Sequence, residues 1–145
     1  MRRNAREFCL RFAYHYQLPE IAEENQLKIS ESELMNKIKE FSETIDIETS
    51  KEDEIFSLSI IDGVLKNYHE VEEILKKYVK GSLSRINKTD YTLLLLSLYE
   101  LGIYKKTPTK VVINEAIELS KKYGNSESPS FVNAVLDKYS KNELK

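Results

Sequence analysis

Four glycines, three prolines, two histidines, one cysteine and no tryptophan in 145 residues are scarcities that each exclude something. The glycines stand apart, so no GxGxxG or GxxxxGK[ST] loop is available to cradle a phosphate. His15 and His69 belong to no HExxH or Cys/His ligand spacing and are expected on helix surfaces. No metal, no cofactor and no enzymatic activity are therefore expected. Cys9 has no partner for an internal disulfide and is expected to be a small buried hydrophobe in a reducing compartment. No apolar run approaches the roughly 18 residues of a membrane span, and the amino terminus lacks the apolar core of a signal peptide. These absences predict a soluble, cytoplasmic protein without a membrane partner.

What is present is segregated charge. Residues 1–16 hold four Arg and one Glu, a net +3; residues 19–54 hold four Lys against twelve acidic residues, a net −8; residues 55–145 hold fourteen basic and eleven acidic residues, a net +3. The total of −2 thus conceals basic ends around an acidic middle, and a polyanion is steered away from that middle. The length suits one domain, residues 1–145, that buries roughly 70% of its unfolded surface.

Long stretches at helical spacing make the whole chain read as all-α. Residues 1–18 form a first helix that Pro19 closes. Residues 19–29 are a connection or one short helix. Ser30 and Glu33 have capping-box spacing ahead of Leu34, Ile38, Phe41 and Ile45. Thr49 and Glu52 repeat that signal for a helix through Ile55, Leu58, Ile61, Leu65 and Tyr68, and Val71, Ile74, Leu75, Tyr78 and Val79 mark the next. Leu93 to Leu96 with Leu98 and Leu101 are apolar nearly all round, as in a helix enclosed by others. Thr107-Pro108 and Ser128-Pro129 are cap-plus-proline starts for the last two helices. Gly124 is placed to end the first of these in a left-handed conformation, and residues 140–145 are expected to fray.

On the first helix Ala5, Phe8, Cys9, Phe12, Ala13 and Tyr16 gather on one face, which can dock on a core. Arg2, Arg3 and Arg6 share the adjoining arc, where guanidinium forks grip phosphates bidentately. The competing reading is a solvated face held by Arg3–Glu7 and Glu7–Arg11 pairs at i,i+4, and Arg11 fits that role. Asn114 and Asn133 fall inside apolar-periodic helices, where each is either satisfied by an interhelical hydrogen bond or available to a base edge or partner.

Residues 110–119, KVVINEAIEL, and 131–138, FVNAVLDK, resemble the signature helices of the NusB transcription antitermination proteins. Arg2 to Glu7, then Tyr14, Gln17-Leu18 and Leu98-Tyr99-Glu100-Leu101, extend the resemblance over essentially the full length, weakest at 19–54. It implies an all-α protein of two small helical bundles packed together, here about 1–68 and 69–140. It further implies a factor that binds single-stranded boxA RNA of nascent ribosomal RNA transcripts. Its partners would be the small-subunit ribosomal protein NusE and an RNA polymerase elongation complex with other Nus factors.

Carried onto this chain, the resemblance assigns RNA binding to Arg2, Arg3 and Arg6, with Tyr14 on the same side. Glu127, Phe131 and Asn133 fall where the family's last interhelical loop and helix approach RNA, and Phe131 is suited to stack on an unpaired base. Asp90 matches an acidic position associated with NusE, though an acid there also favours its own helix dipole. The chain departs from the family pattern at Asn4, which interrupts the basic run, and at Tyr91, Leu95, Pro129 and Ser130, where basic or polar residues are common. The alternatives are a helical interaction adaptor or homodimer without RNA affinity, and a relative of the helical domain attached to some RNA methyltransferases, for whose catalytic part this chain has no room.

Overall fold

The computed structural model describes residues 2–25 and 29–144, with the side chains of 23–25 left out, and over these it contains eight α-helices and no strand. They are α1 (Arg3–His15), α2 (Leu18–Asn25), α3 (Glu31–Thr44), α4 (Lys51–Lys66), α5 (Tyr68–Tyr78), α6 (Lys88–Tyr99), α7 (Thr109–Tyr123) and α8 (Ser128–Glu143). A 3-10 turn covers Leu83–Arg85 and a π-helical turn covers Glu100–Tyr104. The chain divides into two units, Met1–Tyr68 and His69–Lys145.

In the first unit α1 packs on α3 and α4. Phe8, Phe12 and Phe41 meet there, with Phe41 edge-on to the other two at centroid distances of 5.5 and 5.7 Å. Such pairs add about 0.5–1.5 kcal/mol each beyond the area they bury. Cys9 is 2% exposed on the same face. Pro19 does not close α1. Helix α1 ends at His15, Gln17 takes a positive φ of 52°, and Pro19 sits in the first turn of α2, where a missing N–H costs nothing. The expectation for residues 19–29 is met by α2, residues 26–28 lying outside the described residues.

Ser30 caps α3 by accepting the Glu33 N–H at 3.1 Å. The cap of α4 is one residue later than the Thr49–Glu52 reading. Ser50 Oγ accepts the Asp53 N–H at 3.1 Å, and the Ser50 N–H donates to Asp53 Oδ2 at 3.0 Å. The buried face of α4 is likewise turned, so that Phe56, Ile60 and Val64 lie inside with Ile61 and Leu65, while Ile55 is 52% exposed.

In the second unit α6 is the enclosed post. Every residue from Thr92 to Tyr99 is buried, and α7 and α8 pack against α6 and each other. Gly102 lies in the π-helical turn, where an added Cβ would run into the Tyr139 hydroxyl and that ring would have to shift. The carboxy terminus of α8 is tied down where fraying was expected. Glu143 accepts hydrogen bonds from the Tyr78 hydroxyl and, at 2.8 Å, from Lys77 Nζ. Two further expectations fail at α7. Thr107 is not its cap, because its hydroxyl donates to Glu100 Oε2 at 2.7 Å and Pro108 occupies the cap position. Gly124 is extended (φ −90°, ψ −169°) instead of left-handed. What it supplies is space, since a Cβ would meet Ser128 Cβ at 2.5 Å and the Ser120 carbonyl oxygen at 2.7 Å.

Candidate nucleic-acid interface

The start of α1 concentrates positive charge. Arg2 and Arg3 are exposed at the helix amino terminus, where the helix dipole adds to the cationic field, and the first turn holds no acidic residue. Arg2 takes the left-handed region (φ 54°), and its side chain reaches α4. There the guanidinium carbons of Arg2 and Arg6 lie 4.8 and 5.3 Å from the centroid of the Phe56 ring. Arg6 is only 8% exposed, so the expected arc of three exposed arginines holds for Arg2 and Arg3 and is corrected for Arg6. The physical reason is amphipathic: guanidinium is weakly hydrated and stacks on an aromatic face, while its alkyl stem covers apolar surface. Phe56 is the residue sequence reasoning missed, because nothing local connects it to the arginines.

The competing picture of an exposed Arg3–Glu7–Arg11 ladder also changes, since Glu7 is buried and Arg11 half-buried. Asn4, which breaks the basic run, donates from Nδ2 to the Glu48 carbonyl at 2.8 Å and so ties α1 to the connection before α4. Tyr14 is 45% exposed near the far end of α1, eleven residues beyond Arg3 and therefore about 16 Å along the axis.

The second unit holds the other predicted residues. Glu127 and Asn133 are exposed and Phe131 is half-buried; the Phe131 N–H donates to the Glu127 carbonyl at 3.1 Å, placing the two one turn apart at the start of α8. The α7–α8 loop is closed by an Asn turn in which Asn125 Oδ1 accepts the N–H groups of Glu127 and Ser128 at 2.9 and 3.1 Å. Ser128, expected to cap α8, is instead its first helical residue, with Glu127 at the cap. Asp90, expected at a partner surface, is 4% exposed. Its Oδ2 accepts from Ser128 Oγ at 3.0 Å and from Asn87 Nδ2 at 2.9 Å. Asn114 is exposed, as is Asn133. No group of His, Cys, Asp and Glu among the described residues is arranged to hold a metal ion. No helix among them is long and apolar enough to cross a membrane.

The model of the NusB family matches residues 3–141. The chain belongs to the NusB family. It is 33% identical over 144 residues to the transcription antitermination protein NusB of Acetivibrio thermocellus, covering 99% of this chain and 90% of that one. With the protein of the same name from Clostridium novyi it shares 33% identity, covering 93% and 94%. A solved structure of T. maritima NusB superimposes with a TM-score of 0.78 at 26% identity, over 100% of this chain and 94% of the other. The fold is that of NusB, and the function class is transcription antitermination. Two departures from the family pattern lie on α6 in the second unit. Leu95 is buried, and the half-buried Tyr91 donates its hydroxyl to Glu72 Oε2 at 2.8 Å. Leu95 is therefore not a lost surface cation in this chain.

Proposed function

We propose that this NusB-family chain acts as a cytoplasmic, non-enzymatic antitermination factor that binds single-stranded boxA-type RNA together with NusE and joins an RNA polymerase elongation complex with other Nus factors. The observation that carries the reading is the family match over residues 3–141. Residues 1–145 work as one NusB-like module. Arg2 and Arg3, exposed at a helix amino terminus, are suited to grip phosphates, and the buried Arg6 shares the Phe56 ring with Arg2. Tyr14 on α1, and separately Phe131 and Asn133 on α8, are suited to stack on or bond to unpaired bases, and Glu127 stands at the cap of α8. Phosphate contacts alone carry no sequence information, so selectivity for boxA calls for base contacts and for a partner that extends the RNA surface.

The test is binding of a boxA-like oligoribonucleotide and a scrambled one of equal length, with and without NusE, at one salt concentration. The expected result is weak binding by the chain alone and selective strengthening by NusE. Because linkage is reciprocal, RNA must tighten NusE binding by the same factor, typically about 5- to 150-fold. Absence of NusE binding, or equal strengthening for both RNAs, would leave a helical adaptor without selective RNA affinity.

A further inference from the structure

The buried carboxylate of Asp90 is bonded across 38 residues of sequence to Ser128, at the foot of the loop assigned to RNA. Ser128 has one hydroxyl hydrogen and two acceptors in range, Asp90 Oδ2 at 3.0 Å and Asn125 Oδ1 at 3.3 Å. The shorter contact is also the charge-assisted one and takes the hydrogen. The freed lone pairs of Ser128 Oγ then accept the Asn125 N–H at 3.0 Å. A chain of hydrogen bonds therefore runs from the first turn of α6 through Asp90 and Ser128 into Asn125, whose side chain closes the turn before Glu127. Gly124 is what allows Ser128 to come this close.

Asp90 is held from its own side as well. Its N–H donates to Asn87 Oδ1 at 2.8 Å, and Asn87 Nδ2 returns a bond to Oδ2. Its other oxygen, Oδ1, is buried with no hydrogen-bond partner among the described residues. A carboxylate half satisfied in the interior is a poor stabilising device, because an unmade bond there costs more than a made one contributes. Its use must lie in what it positions.

We propose that Asp90 is a positioning residue that acts through Ser128 to hold the α7–α8 loop, with Glu127 and Phe131, in its RNA-binding conformation, and that it does not itself touch NusE. This rests on the RNA-binding reading above. Asp90→Asn preserves shape and an acceptor oxygen for Ser128; Asp90→Ala and Ser128→Ala each remove the link.

For both alanine variants, amide hydrogen exchange at Asn125 to Ser128 is expected to accelerate. Affinity for the boxA-like oligoribonucleotide in the presence of NusE should fall about three- to tenfold, the equivalent of one hydrogen bond. NusE affinity measured without RNA should stay within twofold of the unsubstituted chain. The double alanine variant should lose no more than either single one, since both break the same link, and Asp90→Asn should recover most of the loss. Loss of NusE affinity in Asp90→Ala but not in Ser128→Ala would make Asp90 a partner contact and overturn the proposal. Unchanged RNA affinity despite faster loop exchange would overturn it too. Should Asp90→Ala fail to fold, Ser128→Ala and Asp90→Asn still decide, through loop exchange and RNA affinity. Failure of the unsubstituted chain to bind RNA at all would instead defeat the functional reading, with loop exchange still reporting on the Asp90–Ser128 link.

Discussion

Separating the three amino-terminal arginines by role gives a quantitative test. Each is replaced singly by alanine, and RNA binding with NusE is measured across a salt series. A guanidinium that neutralises one phosphate of single-stranded RNA contributes about 0.7 to the slope of log affinity against log salt. Arg2→Ala and Arg3→Ala should each flatten the slope by about that amount; Arg3→Ala should leave stability nearly unchanged, and Arg2→Ala should cost no more than about 0.5–1 kcal/mol, the value of an exposed cation–π contact, here with Phe56. Arg6→Ala should do the reverse. Its guanidinium carbon lies 5.3 Å from the Phe56 centroid in a site that leaves the residue 8% exposed. A desolvated cation–π contact contributes up to about 2 kcal/mol. Losing it with the packing of the alkyl stem should destabilise the protein by about 1–3 kcal/mol, or roughly 4 °C of Tm for each kcal/mol.

Phe56→Leu is the control that distinguishes packing from charge. It keeps apolar bulk but removes the ring beneath Arg2 and Arg6, so a double-mutant cycle between Arg6→Ala and Phe56→Leu should give a coupling of about 0.5–2 kcal/mol. Thermal unfolding supplies the stabilities and fluorescence anisotropy the RNA affinities. The reasoning is refuted if Arg6→Ala flattens the salt slope as much as Arg3→Ala does while the unfolding temperature stays put.

Cys9, at 2% exposure, should react with a thiol reagent only at the rate at which the native state opens, and rapid labelling of the folded protein would mean that α1 is wrongly placed. Gly124→Ala should destabilise by about 1–3 kcal/mol in denaturant titrations although its φ of −90° suits alanine, because the added methyl meets Ser128 and the Ser120 carbonyl; a neutral result would deny that close approach. Hydrogen bonds from Lys77 and Tyr78 hold the Glu143 carboxyl below its ordinary 4.5, so its contribution to stability is complete above that pH and is lost as pH falls through the lower folded value. The Glu143 hydrogen bond and charge raise Lys77 above 10.5, so that contribution is complete below 10.5 and is lost as pH climbs past the raised value. Glu143→Gln should therefore weaken the acid dependence of unfolding, and an identical pH profile would count against the clasp.

Helix existence was legible in the sequence because it depends on periodicity that every long segment displays. The enclosed leucines of α6 and the inward face of α1 followed directly from that spacing. The buried face of α4 followed only in part, since Ile61, Leu65 and Tyr68 are buried but Ile55 is exposed and Leu58 half-buried. Ile55, Leu58, Ile61 and Leu65 make one apolar stripe, and Phe56, Ile60 and Val64 make another beside it. The choice between two such stripes is settled by what packs against them. In this chain the second stripe carries the phenylalanine that receives Arg2 and Arg6. Ser30 caps α3 as expected, while the other three expected caps, Thr49, Thr107 and Ser128, failed for a related reason. Adjacent Ser and Thr residues offer overlapping capping boxes, and Thr107 and Ser128 are drawn off by the acceptors Glu100 and Asp90, distant in the chain or across a turn.

The misplaced residues at the candidate site have one property in common: each is a polar group read as a surface group that has a partner far along the chain. Arg6 meets Phe56 and Asp90 meets Ser128. A sequence reading treats charge as solvated because an isolated buried charge is costly, and that inference is sound until a partner removes the cost. The pairing is invisible locally, since it depends on the fold bringing α1 to α4 and α6 to the head of α8. Resemblance to a family therefore marks positions sooner than it assigns their roles. Arg6 and Asp90 fall on positions that the resemblance marks, and in this chain both are buried, so that on the reading proposed above an effect on RNA would be exerted through the groups they hold.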